Sequence, residues 1–197
     1  MKKRFFPVFL VFLLPVFICG CIINLGDGNV IDQERNVQGF NSVLLSGAGD
    51  VYIFPGSEFK VVVTTDSNLQ EYVTTKVKAG ILYIDENSFR GFHPTKLVID
   101  VYLPELTCVK LRGAGNIKVN DGNISDFEIV LSGAGNIDAK NFEAENVSII
   151  LSGAGDIKTW ATDSLTGKLS GVGSIMYRGD PPIKDIRKTG VGSIGKI

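Results

Sequence analysis

The sequence predicts an all-β fold of the solenoid type, in which coils of about 20 residues stack on one another. Three observations lead to this prediction. Glycine accounts for 23 of the 197 residues but proline for only 7, so the excess is not that of a collagen-like or disordered chain. A seven-residue motif containing Gly-x-Gly recurs six times. Apolar residues between the motifs recur at every second position, which is the period of a strand.

The spacing of the motif predicts how the coils stack. After residue 106, the first glycines of successive motifs are 20, 20, 18 and 19 residues apart. Because this step is nearly constant, residues at equal offsets are expected to lie in columns with about 4.8 Å between strands. The four expected columns are Val109, Ile129, Ile149; Leu111, Leu131, Leu151, Leu169; Ala114, Ala134, Ala154, Val172, Val191; and Ile117, Ile137, Ile157, Ile175, Ile194. Burial of these apolar columns is expected to stabilise each coil against its neighbours.

The paired glycines are predicted to form the corners of the coils. Gly-x-Gly allows positive φ at both glycines without a Cβ penalty, and it lets successive corners approach closely. The predicted corner glycines are Gly47, Gly49, Gly113, Gly115, Gly133, Gly135, Gly153, Gly155, Gly171, Gly173, Gly190 and Gly192.

A short polar residue follows each second glycine and is expected to hydrogen-bond the backbone of the turn. These residues are Asp50, Asn116, Asn136, Asp156, Ser174 and Ser193. The pattern also resembles a calcium-binding nonapeptide, but its period is about 20 instead of 9 and four of the six positions are neutral. Turn capping is therefore predicted here, with neither a metal nor another cofactor.

The N-terminus has the features of a lipoprotein signal. A basic segment (2–4) precedes an apolar stretch (5–18), and the sequence Ile-Cys-Gly-Cys ending at Cys21 resembles a bacterial lipobox. This resemblance implies cleavage between Gly20 and Cys21, with lipid on Cys21 as the membrane anchor. An uncleaved membrane anchor or an ordinary cleaved signal is the alternative, although prolines 7 and 15 weaken a spanning helix.

Each of these alternatives exports the protein. Residues 1–20 carry three basic and no acidic residues, so their removal leaves 17 basic and 21 acidic residues, a balance of about -4. A nucleic-acid partner is therefore not expected. With Cys21 acylated, Cys108 has no intramolecular disulfide partner. Its alternation with Val109 and Leu111 places the thiol on the outer face or in a partly covered position.

The chain is expected to contain one folded domain. Its predicted parts are a signal peptide (1–20), a lipidated Cys with a polar tether (21–36), and a β domain (37–197). Within the domain, an irregular β front half (37–105) carries one copy of the motif, and the regular repeats occupy 106–197.

The order of the motifs resembles that of the bacterial GIN domain, a family labelled as autotransporter adhesin heads. The front half has a Val-x-Ile-x-x-Gly pattern (51–56), a Leu-x-Ile strand (82–84) and a Leu-Pro-x-Leu segment (103–106), followed by the Gly-x-Gly turns. The resemblance covers residues 37–197 and implies a single-stranded, right-handed parallel β-helix without catalytic machinery. It also implies an exported lipoprotein of the cell envelope, anchored to the outer membrane on its periplasmic or its surface face.

Three functions are compatible with these features. The first is a non-enzymatic envelope module that presents a surface for adhesion, with an envelope protein or a glycan as partner. The second is a polysaccharide-active enzyme, which would need converging carboxylates. The available carboxylates are Asp100, Glu105, Asp121, Asp126, Asp138 and Glu143, with Trp160 as the sole tryptophan, and no catalytic residue is assigned among them. The third is a structural or sensory partner of another envelope protein, with an oligomer as one way to cover the open end of the solenoid.

Overall fold

The computed structural model describes residues 24–86 and 91–197, which form an all-β domain. Residues Gly20 and Cys21, and with them the predicted signal cleavage and lipidation, lie outside the described residues. The strands are β1 (Asn24–Leu25), β2 (Val30–Arg35), β3 (Ser42–Leu45), β4 (Ala48–Pro55), β5 (Lys60–Asp66), β6 (Val73–Lys78), β7 (Ile81–Glu86), β8 (Phe92–His93), β9 (Leu97–Leu103), β10 (Cys108–Leu111), β11 (Ala114–Val119), β12 (Gly122–Leu131), β13 (Ala134–Leu151), β14 (Ile157–Leu169), β15 (Val172–Arg178), β16 (Ile183–Lys188) and β17 (Val191–Lys196).

A short 3₁₀ helix, Ser67–Tyr72, follows β5. Within residues 24–86 and 91–197, no helix has the length and apolar character needed to cross a bilayer.

The strands of the repeat region pair in parallel and in register. One stack runs through β3, β10, β12, β13, β14 and β16, and a second runs through β4, β11, β13, β14, β15 and β17. The four columns predicted from the spacing are confirmed, since each member lies opposite the next. Parallel pairing at this separation follows from the repeat, because strands about 20 residues apart carry the same residues at the same offsets.

Three of the four columns contribute to the core, and the alanine column does not. The Val109, Leu111 and Ile117 columns are buried along most of their length. The sequence predicts that the column from Ala114 to Val191 is buried with them, but this column lies on the outer side of the corners, where Val172 and Val191 are 59% and 71% exposed. The central residue of Gly-x-Gly therefore faces solvent, because the corner directs it away from the coil interior.

The front half uses antiparallel pairing that the repeat region lacks. β5 pairs antiparallel with both β2 and β9, and β6 pairs antiparallel with β7. β3 and β4 nevertheless stack in parallel on β10 and β11, so the first motif copy continues into the repeats. The segment 24–35, assigned to the tether from sequence, contains β1 and β2, which pair with β8 and β5.

A buried carboxylate holds this N-terminal segment against the domain. Asp66 is fully buried, and it accepts hydrogen bonds from the backbone N of Gly28 at 2.8 Å and of Thr95 at 2.7 Å. Burial opposes its ionisation, but these hydrogen bonds hold the pKa of the Asp66 carboxyl below its usual value.

Candidate binding cleft

The two glycines of each corner have different backbone conformations, contrary to the sequence-based expectation of positive φ at both. Only the second glycine has a positive φ, as at Gly135, where φ is 137°. Both glycines are required for space, since a Cβ on Gly133 would collide with the backbone carbonyl of Gly113 and one on Gly135 with that of Gly115. The close approach of successive corners is therefore confirmed, and the expectation of two left-handed residues per corner is wrong.

The polar residues that follow the corners form a ladder across the coils. The corner ladder consists of Asp50, Asn116, Asn136, Asp156, Ser174 and Ser193. Asn136 Nδ2 donates to Asn116 Oδ1 at 3.0 Å, and Asn136 Oδ1 accepts from the backbone N of Asp156 at 3.0 Å. Asn116 Nδ2 donates to Asp50 Oδ1 at 2.8 Å, and the ladder continues through Asp156 and Ser174 to Ser193. The side chains therefore bond mainly to the next coil, whereas the sequence suggested bonds within their own turn.

Polar side chains elsewhere on the outer face are also paired with one another. Asn146 Nδ2 donates to Asp126 Oδ1 at 3.1 Å, and Ser164 Oγ donates to Asn146 Oδ1 at 2.8 Å. Cys108 Sγ donates to Glu128 Oε2 at 3.1 Å. These rows satisfy their hydrogen-bonding groups inside the protein, which is typical of structural polar ladders.

Cys108 lies on the outer face, as its alternation predicted, but it is only 5% exposed. Burial, together with the adjacent Glu128 carboxylate, raises the pKa of its thiol to about 12. Burial opposes ionisation of Glu128, but hydrogen bonds from Cys108 and Lys110 lower the pKa of that carboxyl. The thiol is therefore protonated at neutral pH and is a poor nucleophile.

One coil is shorter than its neighbours, and the missing residues lie at a defined place. The β13–β14 register pairs Asp138 with Lys158 but Glu143 with Trp160, so five residues on β13 lie opposite two on β14. This shortfall of three is partly recovered between Ala144 and Asn146, which accounts for the 18-residue step in the sequence. The coil surface is consequently interrupted beside Trp160.

A row of four side chains crosses this interruption. Asn123 pairs with Glu143, Glu143 with Trp160, and Trp160 with Arg178, each on the adjacent strand. The Arg178 guanidinium carbon lies 4.1 Å from the centroid of the Trp160 ring. Because Arg178 is exposed, this cation–π contact contributes only about 0.5–1 kcal/mol.

An open cleft of about 590 Å³ lies over this row. Its lining residues are Asp121, Gly122, Asn123, Asn141, Glu143, Trp160 and Arg178. Gly122 lies opposite the buried Phe142, and a Cβ there would lie 2.9 Å from Phe142 Cε2. The volume falls in the range of roughly 300–1,000 Å³ that small-molecule sites occupy.

The polar side chains of the cleft are not used by the fold. Across residues 24–86 and 91–197, no hydrogen bond or ion pair joins Asp121, Asn123, Asn141 or Glu143 through its side chain to another protein group. Two carboxylates, two amides and one guanidinium therefore surround a single indole with their hydrogen-bonding capacity free. This is the feature that separates the cleft from the ladders.

The structure distributes the six carboxylates considered from the sequence. Asp121 and Glu143 line the Trp160 cleft together, a convergence that the sequence spacing did not reveal. Asp138 lies beside the corner ladder, and Asp126 and Glu105 line other surface depressions. Asp100 lies on β9, where burial and the nearby Asp32 raise the pKa of its carboxyl. Over the described ranges, no group of three or more His, Cys, Asp or Glu side chains is arranged to hold a metal ion.

Sequence reasoning missed the cleft, although the signal was present. The 18-residue step between Gly153 and Gly171 breaks the 20-residue spacing and marks the shortened repeat. Trp160 lies within that same step. A change in repeat length that coincides with the only tryptophan would have located the site.

The family model described as "Putative auto-transporter adhesin, head GIN domain" matches residues 39–122 and 119–181. The chain belongs to this family, which confirms the resemblance seen in the sequence.

Solved structures with the same fold include a "putative adhesin" from Bacteroides fragilis, which is 22% identical with a TM-score of 0.61, over 88% of this chain and 100% of that one. A "putative cell adhesion protein" from Clostridium sporogenes is 16% identical with a TM-score of 0.52, over 85% of this chain and 99% of that one. No curated protein matches the chain.

Proposed function

We propose that the chain is a non-enzymatic lipoprotein of the cell envelope whose domain presents an adhesion or protein-interaction surface, with the Trp160 cleft at its centre. The observation that carries the proposal is the cleft itself, where polar groups that the fold does not use surround a tryptophan. Membership of the adhesin-head family supports the same function.

The shape of the domain is proposed to be a single-stranded, right-handed parallel β-helix. Parallel pairing with a register step of about 20 residues supports a coil. Connections between parallel strands of one sheet are right-handed in about 98% of cases, which supports this handedness. The antiparallel strands of the front half would then cap the N-terminal end of the coil.

The proposed anchor is lipid on Cys21, which rests on the lipobox. Only residues 22 and 23 separate Cys21 from β1, so an anchored domain would be held within about 10 Å of the bilayer. Mass spectrometry of the mature N-terminus tests the anchor. A diacylated or triacylated Cys21 is expected, whereas an unmodified Cys21 or an intact Met1 would contradict it.

The binding function is tested with cells that display the full-length chain. Retention of these cells on immobilised bacterial envelopes and on host-cell monolayers is compared for the wild type, Trp160→Ala, and Lys168→Ala, an exposed position outside the cleft. Loss of a central aromatic is expected to weaken binding by about 30-fold, as for a hot-spot tryptophan. Equal retention of all three proteins on both surfaces would contradict a role for the cleft.

A polysaccharide-active enzyme is the second candidate, because Asp121 and Glu143 line the same cleft. Paired carboxylates across a sugar are the usual machinery of glycoside hydrolysis. Reducing-end release is measured across a polysaccharide panel with the wild type and Glu143→Gln. Turnover that Glu143→Gln abolishes would establish the enzyme and overturn the non-enzymatic proposal.

A further inference from the structure

We propose that the ligand of the Trp160 cleft is a saccharide that is neutral or carries an amino group. This inference rests on the proposed binding function and specifies its ligand class. Three properties of the cleft support it. In the described part of the chain, an aromatic ring is covered by the side chain of Arg178, planar carboxylates and amides make no hydrogen bonds through their side chains, and the lining has a net negative charge.

The indole of Trp160 provides the stacking surface. The aliphatic face of a sugar ring packs against an aromatic face, and tryptophan offers the largest such face among the side chains. Arg178 lies over this ring at 4.1 Å from its centroid, and its side chain is exposed. Because no hydrogen bond or ion pair ties the Arg178 guanidinium elsewhere among the described residues, it can move aside and let a sugar replace it.

The polar groups around the ring have the geometry of sugar hydroxyl recognition. Carboxylates and amides are planar and offer two atoms each, so they can bind two adjacent hydroxyls at once. Asn123 and Glu143 occupy successive strands of the same row as Trp160, and Asp121 and Asn141 lie beside them. In the corner ladder the same residue types bond to one another, which leaves less capacity for a ligand.

The charge of the lining selects among saccharides. Asp121 and Glu143 contribute two negative charges against the one positive charge of Arg178. A sulfated or uronic-acid glycan would place its own negative charges against these carboxylates, which is unfavourable. A neutral glycan avoids this repulsion, and an amino sugar would gain an ion pair.

A protein partner fits this cleft less well than a saccharide. The buried centre of a protein interface is depleted of charged side chains and rich in apolar ones. Here one aromatic residue is surrounded by three charged side chains and two amides. The strongly exposed aliphatic side chains, such as Leu25 at 63% and Val191 at 71%, lie towards the two ends of the domain and not in the cleft.

The experiment uses the fluorescence of Trp160, which is the only tryptophan in the chain. The full-length protein is solubilised in detergent and applied to an array of neutral, amino-containing and acidic glycans. Glycans that bind are then titrated while Trp160 emission is recorded. We expect binding confined to neutral or amino-containing glycans, with a shift in emission that saturates.

Variants locate the binding. Glu143→Ala and Asn141→Ala retain the fluorophore and are each expected to weaken binding by about tenfold or more, since each removes ligand hydrogen bonds. Lys168→Ala is the control outside the cleft and should leave the affinity unchanged. Trp160→Ala lacks the fluorophore, so its glycan binding is measured by calorimetry, and this substitution should abolish binding.

The outcomes separate this inference from the proposed function. If no glycan on the array binds, if only acidic glycans bind, or if the cleft variants bind as well as the wild type, the saccharide inference is wrong. If no glycan binds but retention on envelopes or host cells still depends on Trp160, the cleft binds a protein and the proposed function stands. If cell retention is also independent of Trp160, both proposals fail.

Discussion

The corner ladder and the Trp160 cleft are both rows of polar side chains on neighbouring strands, yet they differ in how those side chains are used. In the ladder, Asn136 is bonded to the coils on both sides. In the cleft, Glu143 lies between Asn123 and Trp160 on the neighbouring strands, and its side chain bonds to neither side chain. The difference follows from residue type, because the ladder stacks Asp, Asn and Ser on one another, whereas the cleft row places Asn, Glu, Trp and Arg on successive strands. Rows of matching polar side chains therefore bond within the protein, and the mixed row leaves groups free for a ligand.

The largest effect on stability is expected from a substitution at a Gly-x-Gly corner, in the regularly stacked part of the domain. Gly133→Ala should lower the free energy of unfolding by about 3 kcal/mol or more, because its Cβ has no space between stacked backbones. Urea denaturation measures it. Gly39→Ala is the control, since Gly39 has a φ of +74° but no atom within 4 Å of the added Cβ. It should cost only about 1–2 kcal/mol, the penalty for the left-handed conformation alone. Equal losses would refute the steric role of the first glycine.

The next largest effect is on the pH dependence of stability and concerns Cys108, whose thiol is hydrogen-bonded to Glu128 within the protein. Its folded pKa of about 12 lies above the roughly 8.5 of an unfolded thiol, so its contribution to stability is complete below pH 8.5 and declines as pH rises above that. Between pH 8.5 and 10, stability should fall by about 2 kcal/mol, at about 1.4 kcal/mol per pH unit. Urea denaturation of the wild type and of Cys108→Ala across this range provides the measurement.

The Cys108→Ala variant should lack this part of the pH dependence. Alkylation gives an independent check, since the folded thiol should react far more slowly at pH 8 than the unfolded one. Rapid alkylation of the folded protein, or an identical pH slope in the variant, would show that Cys108 is not held as described.

The smallest effect sharpens the comparison with two matched asparagines. Asn136→Ala removes bonds to Asn116 and to the backbone of Asp156, and should cost about 1 kcal/mol. Asn141→Ala in the cleft removes no bond to the described protein and should change stability by less than about 0.5 kcal/mol. Thermal denaturation of both variants decides between them. If Asn141→Ala is the more destabilising of the two, the cleft residues have a structural role after all.

The sequence predicted the repeat region well because its information is local and periodic. The Leu111 and Ile117 columns follow directly from equal spacing, and their pairing is confirmed. The front half was harder to predict from the sequence, since the pairing of β5 with β2 and β9 depends on contacts that no repeat encodes. The exposure of Val172 was missed because a β-branched residue at a repeated position has the pattern of a core residue.

The candidate site was less predictable than the fold. Asp121 and Glu143 are 22 positions apart, and the regular β12–β13 register brings them together by placing Glu143 opposite Asn123, two residues from Asp121. Periodicity predicts which residues stack, but it does not predict where stacking fails. The cleft lies at such a failure, so the position of Trp160 beside Glu143 could be recognised only from the register of β13 and β14.

The unequal coil also matters for the search of the chain for its native pairing. Near-identical coils invite mispairing, because a slip by one whole coil would again place isoleucine on isoleucine and glycine on glycine. The shortfall of three residues between Asp138 and Glu143 makes the coils distinguishable, since a slipped partner would lose its alignment on one side of it. The interruption beside Trp160 is thus matched in only one pairing register, and it raises the free energy of misaligned states above that of the native stack.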